Sequence, residues 1–213
     1  PGSSQGIPLQ HFPQLPIAVG GVVEQRDGIV EGFGGEVTEL LLEGAEGNGS
    51  LIEIHGGFRC FQADTVFDKL IHAPGLTLGG AVEIVTFGGG EPLLYPRFLS
   101  QFREICGDSW HLCAETSLNV PWENVALAAH VIDHFYIDCK DTDPEIYRAY
   151  TGKDNAQMLS NLEKLLETVG PEKITLRIPL IPEFNSQQHQ QNSKALLSQM
   201  GVRNFDLFTY KTE

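Results

Sequence analysis

Val85–Leu94, VTFGGGEPLL, decides how this chain reads. An apolar run rich in β-branched residues feeds three consecutive glycines, a glutamate and a proline. This is a strand that ends in a turn where bare backbone approaches something closely, because glycine has no Cβ to block it. In α/β sheets the ligand sites lie at such carboxyl ends of strands. Glu91 then places a carboxylate beside exposed backbone groups, and Pro92 fixes the exit of the turn.

Working outward, apolar strand-like runs occur at Ser50–His55, Val82–Phe87, His111–Thr116, His134–Cys139, Lys173–Pro179 and Asn204–Phe208. Helix-like segments separate them, at Asp64–His72, Arg97–Ile105, Trp122–Ala129, Pro144–Tyr150, Ala156–Val169 and Gln187–Met200. Strands alternating with helices mean parallel βαβ units. The fold class is therefore α/β, a partial (βα)6 TIM-like barrel over residues 50–213 whose lateral opening suits a macromolecular substrate that inserts a loop. Residues 1–49 are glycine-dense, and Val22–Val30 reads as a short hairpin about the Asp27-Gly28 turn.

The chain has 213 residues and a net charge of -14, from 14 Lys and Arg against 28 Asp and Glu. That balance excludes a nucleic-acid surface, which must be cationic to displace counterions. There is no apolar run long enough to span a membrane, and the opening PGSSQG has none of the features of a secretion signal. Four cysteines without tight spacing point to a reducing compartment, and the cytoplasm is the expected location.

Four segments in order carry a family resemblance: VTFGGGEPLL, then Ala114–Trp122 (AETSLNVPW), Val131–Gly152 (VIDHFYIDCKDTDPEIYRAYTG) and Ile174–Asn185 (ITLRIPLIPEFN). Together they resemble the radical S-adenosylmethionine (SAM) superfamily, nearest to the activating enzymes of glycyl-radical enzymes. The resemblance implies SAM and a [4Fe–4S] cluster as cofactors, a glycyl-radical enzyme as partner and a flavodoxin or ferredoxin as reductant. It implies reductive cleavage of SAM to a 5′-deoxyadenosyl radical that takes a hydrogen atom from a partner glycine. It further implies that Gly89, Gly90 and Glu91 hold the methionine amino group, and that Ser117, Asp138, Lys140 and Arg177 border the SAM site. Glu115, Thr116 and Asp138 match a monovalent-cation site, with Glu115 one methylene longer than the family's aspartate.

The family's cluster motif is Cys-x3-Cys-x2-Cys. Here Ser50–Ala63, SLIEIHGGFRCFQA, matches that region and places Cys60 on the middle cysteine, with Gly56 and Ala63 at the outer two positions. A relative without a cluster, binding SAM, a nucleotide or a protein partner, is the alternative. A third reading, an unrelated barrel enzyme using Asp138 and Lys140 for Schiff-base or acid–base work, rests on that lysine's place on a strand.

Period-two alternation sends Tyr136, Asp138 and Lys140 to one face of their strand. Charges on a barrel interior must be paired or liganded. A salt bridge at the strand end accounts for Asp138 and Lys140 equally well, and a pair with Glu115 or Asp138 for Arg177. Ser117 reads also as a helix N-cap and Asn185 as a turn residue. His55, His111, His130 and His134 read as ordinary strand-end or helix-end histidines, Cys106 and Cys113 as core, and Trp110 and Trp122 as packing residues.

Overall fold

The six apolar runs pair side by side in the order in which they occur. A computed structural model describes residues 39–44, 49–55, 63–71, 82–88 and 90–210. The strands are β1 (Glu39–Gly44), β2 (Gly49–His55), β3 (Val82–Gly88), β4 (Trp110–Thr116), β5 (His134–Asp138), β6 (Ile174–Leu180) and β7 (Asn204–Thr209). They form one sheet in sequence order, with β1 antiparallel to β2 and every later pair parallel. The helices are α1 (Ala63–Ile71), α2 (Pro96–Cys106), α3 (Trp122–Ala129), α4 (Pro144–Thr151), α5 (Ala156–Val169) and α6 (Gln187–Gln199). The α/β reading with parallel strands and intervening helices is therefore borne out. Strand β1 is an addition. The hairpin expected at Val22–Val30, the glycine Gly89 and the cysteine Cys60 lie outside the described residues.

Alternation along the strands divides the sheet into two unlike faces. Phe135 and Ile137 of β5 stand beside Ile174 and Leu176 of β6, and all four are fully buried. They pack with Leu112, Ala114, Val85 and Phe87 in the core, beneath Phe98, Leu99 and Phe102 of α2 and Met158, Leu162 and Leu165 of α5. Phe87 and Phe102 meet edge to face at 5.2 Å, and Phe67 packs on Trp110 at 5.2 Å. The other face carries Glu115, Tyr136, Asp138, Arg177 and Asp206. Lateral register lines up Asp138, Arg177 and Asp206 across β5, β6 and β7.

Local chemistry fixes the elements that lead to this face. Asp143 caps α4 by accepting from the Glu145 and Ile146 amides, and Gly152 ends it at φ 72°, where a Cβ would be strained. Ser186 and His189 form a capping box at α6. Leu118 turns out of β4 at φ 53°. Its carbonyl and that of Val120 accept from the buried Asn161 amide at 2.8 Å each, which holds this uncommon conformation. Among the described residues no helix is long and apolar enough to cross a membrane.

Candidate cofactor site at the carboxyl ends of the strands

The glutamate of the glycine-rich turn does not point into open space. Glu91 Oε1 accepts from the Thr116 hydroxyl at 2.7 Å and the Leu93 amide at 3.2 Å. Its Oε2 accepts from the Ser117 hydroxyl at 2.7 Å and the Ser117 amide at 2.9 Å. Three of these four donors tie the turn after β3 to the end of β4, and the fourth closes the turn on itself. The Glu91 carboxylate and the Ser117 hydroxyl, both expected beside a ligand, are occupied with each other. Ser117 is not a helix N-cap either, since α3 begins after Pro121. Gly90 is exposed, at φ 150°, with open space where a Cβ would stand.

The charged row is built around Arg177. Its Nη1 donates to Glu115 Oε1 at 2.5 Å, and its Nε lies 3.6 Å from Asp138 Oδ1 and 3.9 Å from Asp206 Oδ2. Burial opposes its charge, yet Glu115, Asp138 and Asp206 together raise its pKa. The residues expected to share a cation thus go elsewhere: Glu115 and Asp138 flank a guanidinium, and the Thr116 hydroxyl serves Glu91. The arginine supplies the positive charge that carboxylates on this face require.

Beside it, Lys140 Nζ lies 2.7 Å from Asp138 Oδ2 and 2.5 Å from the Tyr210 hydroxyl. Burial disfavours the ammonium, but Asp138 and Tyr210 outweigh burial and its pKa is raised. A protonated, paired lysine does not suit Schiff-base chemistry, which needs a neutral amine. Asn185 is the turn residue expected: its Oδ1 accepts from the Ile181 amide at 2.6 Å. Its amide also reaches Pro179 O at 3.1 Å and the buried Asp141 carboxylate at 3.2 Å, which joins the loops after β5 and β6.

Asp206 and Tyr210 escaped sequence reasoning. Asp206 had a signal, a charge at an inward position of the alternating strand NFDLFT. Tyr210 lies beyond β7 and 70 residues from its partner Lys140, a separation that no local pattern bridges.

Two cofactors can be tested against these side chains. Asp138 Oδ1 and Arg177 Nε are buried and face each other at 3.6 Å, an ion pair with no hydrogen bond made by either atom. With the Lys140 ammonium nearby, this set can hold a molecule that carries hydroxyl, ammonium and carboxylate groups together, as SAM does. An iron–sulfur cluster is different, because it needs several thiolates. Ala63 opens α1 in the core at 2% exposure, with no sulfur. Cys106, Cys113 and Cys139 are free and buried in the body of the fold. Burial pushes the Cys113 thiol up to about 12 and raises Cys139 as well, which opposes the thiolate form. Among the described residues no group of His, Cys, Asp and Glu could hold a metal. Gly56 and Cys60 lie outside the described residues, and in sequence the stretch from Gly56 to Ala63 holds one thiolate where the cluster needs several, so the residue types there do not fit it.

Comparison with known proteins agrees with this architecture. The chain is 37% identical over 131 residues to the (2S)-3-sulfopropanediol dehydratase activating enzyme of Klebsiella oxytoca, covering 59% of this chain and 41% of that protein. It is 39% identical over 101 residues to the indoleacetate decarboxylase activating enzyme of Tractidigestivibacter scatoligenes, covering 47% of this chain and 32% of that one. The matched regions thus span less than half the length of these relatives. Among solved structures, coproporphyrinogen III oxidase from Escherichia coli, described as a radical SAM enzyme, superposes with a TM-score of 0.53 at 13% identity. That match covers 70% of this chain and 37% of the oxidase, and it shows the shared fold. The radical SAM superfamily model matches residues 70–192, more than half of the sequence and every strand from β3 to β6. The chain belongs to the radical SAM superfamily, which implies SAM and a [4Fe–4S] cluster as the family's cofactors.

Proposed function

We propose that this chain is the SAM-handling barrel of an activating enzyme for a glycyl-radical enzyme. The overall reaction of such an enzyme is reductive cleavage of SAM to a 5′-deoxyadenosyl radical, which removes a hydrogen atom from a glycine of the partner. The support is the charged wall of Asp138, Arg177 and Lys140 at the carboxyl ends of the strands, where Asp138 Oδ1 and Arg177 Nε face each other at 3.6 Å without a hydrogen bond. Similarity to two activating enzymes favours a glycyl-radical enzyme as partner. A flavodoxin or ferredoxin is the fitting class of reductant.

A [4Fe–4S] cluster supplies the electron for SAM cleavage when bound. One thiolate, Cys60, stands where the family motif has three, so no part of that step is assigned to residues of this chain. What they do is bind and orient. Asp138 Oδ1 accepts from a hydroxyl or ammonium of SAM, while Lys140 and Arg177 set the positive charge on the same wall. Gly90 leaves the backbone accessible, and Glu91 keeps that turn docked on the end of β4.

Calorimetric titration with SAM tests the reading. Binding at one molecule per chain, competed by S-adenosylhomocysteine and weakened at least about tenfold by Asp138→Asn, is expected from loss of one charge-assisted contact. Absence of binding overturns it. Anaerobic reconstitution with iron and sulfide is expected to leave less than a full cluster's iron on the chain.

A further inference from the structure

Tyr210 follows the last residue of β7, and its amide donates to Leu180 O at 3.0 Å, which pins it beside the end of β6. Its ring is braced from two further sides. It stacks on Tyr150 of α4 at 6.3 Å and 26°, and meets Phe208 of β7 edge-on at 5.3 Å and 87°. Tyr150 is in turn held edge-on by Phe184 at 5.0 Å and 78°. A phenyl ring would satisfy all of these contacts. The hydroxyl is not needed for the brace, and it is directed at the Lys140 ammonium.

An ammonium has three N–H donors on a flexible four-carbon stem. Asp138 Oδ2 takes one at 2.7 Å and the Tyr210 oxygen takes a second at 2.5 Å. Two fixed acceptors determine the direction of the third N–H. With Asp138 alone the ammonium could swing about one contact, and each rotamer lost on binding would weaken the ligand. We propose that Tyr210 is a positioning residue for the SAM site: it does not touch SAM but fixes the Lys140 ammonium so that its third donor faces the ligand. This rests on the SAM-binding reading above.

The test is a double-mutant cycle on SAM affinity with Tyr210→Phe and Lys140→Met, each checked for an unchanged melting temperature. Tyr210→Phe is expected to raise the Kd for SAM about tenfold, the scale of one hydrogen bond to a charged group. In the Lys140→Met background it is expected to change nothing further. Equal affinity of Tyr210→Phe and the parent chain overturns the proposal, as does the same loss in both backgrounds. A second readout needs no ligand. The Lys140 ammonium, held by two acceptors, is expected to give a resolved 1H–15N signal, assigned by its loss in Lys140→Met. That signal is expected to broaden away in Tyr210→Phe. Failure of the parent chain to bind SAM would remove the functional reading, whereas persistence of the ammonium signal in Tyr210→Phe would remove this inference.

Discussion

Two arginine–aspartate pairs stand near opposite ends of the same sheet. Near the amino ends, Arg103 of α2 pairs with Asp133, and all three guanidinium nitrogens are used. They donate to Val131 O at 3.1 and 2.9 Å, to Gly107 O at 2.9 Å and to Trp110 O at 2.7 Å. Asp133 also accepts from the Leu112 amide at 2.8 Å. Toward the carboxyl ends, Arg177 faces three carboxylates, yet its Nε and Asp138 Oδ1 meet only as an ion pair at 3.6 Å, with no hydrogen bond made by either atom. The chemistry of the two pairs is the same, but one is closed by the fold and the other is open. A closed pair serves stability, because every desolvated donor recovers a partner. An open pair carries a cost that the fold alone does not offset, and such costs collect where a ligand completes the set.

The contrast can be broken first at the closed end. Arg103→Met is expected to cost about 3 kcal/mol, because it strands three carbonyls and a carboxylate. Urea unfolding measures it, and a change under about 1 kcal/mol would mean that solvent already serves these groups. Also toward the amino ends of the strands, His134 is 3% exposed with Nε2 2.9 Å from the Thr175 hydroxyl. Burial lowers its pKa from 6.5 to about 4. The unfolded chain therefore takes up the proton first as pH falls. Stability is full above pH 6.5, declines by about 3 kcal/mol on the way down to pH 4 and levels off below. Unfolding of His134→Gln followed over this range is expected to be flatter by that amount.

Two further substitutions sharpen the comparison. Glu91→Gln puts an amide where four donors converge and is expected to cost about 1 to 2 kcal/mol, read by thermal unfolding. Asp138→Asn is expected to shift stability by less than about 1 kcal/mol while weakening SAM about tenfold. A large stability loss in Asp138→Asn would make the carboxyl-end pair as structural as its counterpart.

Much of the fold was legible because burial enforces periodicity. Trp122–Ala129 and Ala156–Val169 have the expected bounds, and the other helices and the six expected strands begin and end within one residue of them. Strand β1 was missed because ELLLEG lacks alternation, and a run of three leucines suits a helix equally. Of the site, the inward face of Tyr136, Asp138 and Lys140 followed from period two alone. Which neighbours complete that face did not. Glu91 finds Thr116 and Ser117 from 25 and 26 residues away, and Arg177 finds Glu115 from 62. Alternation tells which side a residue faces but not what stands across from it. Glu91 and Ser117 were therefore read as ligand groups, although their nearest partners are each other.

The Glu91 contacts make the glycine-rich turn and the end of β4 one mechanical unit. Its carboxylate accepts a hydrogen bond from the Ser117 amide, so that amide exchanges with solvent only when the turn releases its grip. A single backbone position just beyond β4 thereby reports the movement of a segment whose glycines have no side chain to label.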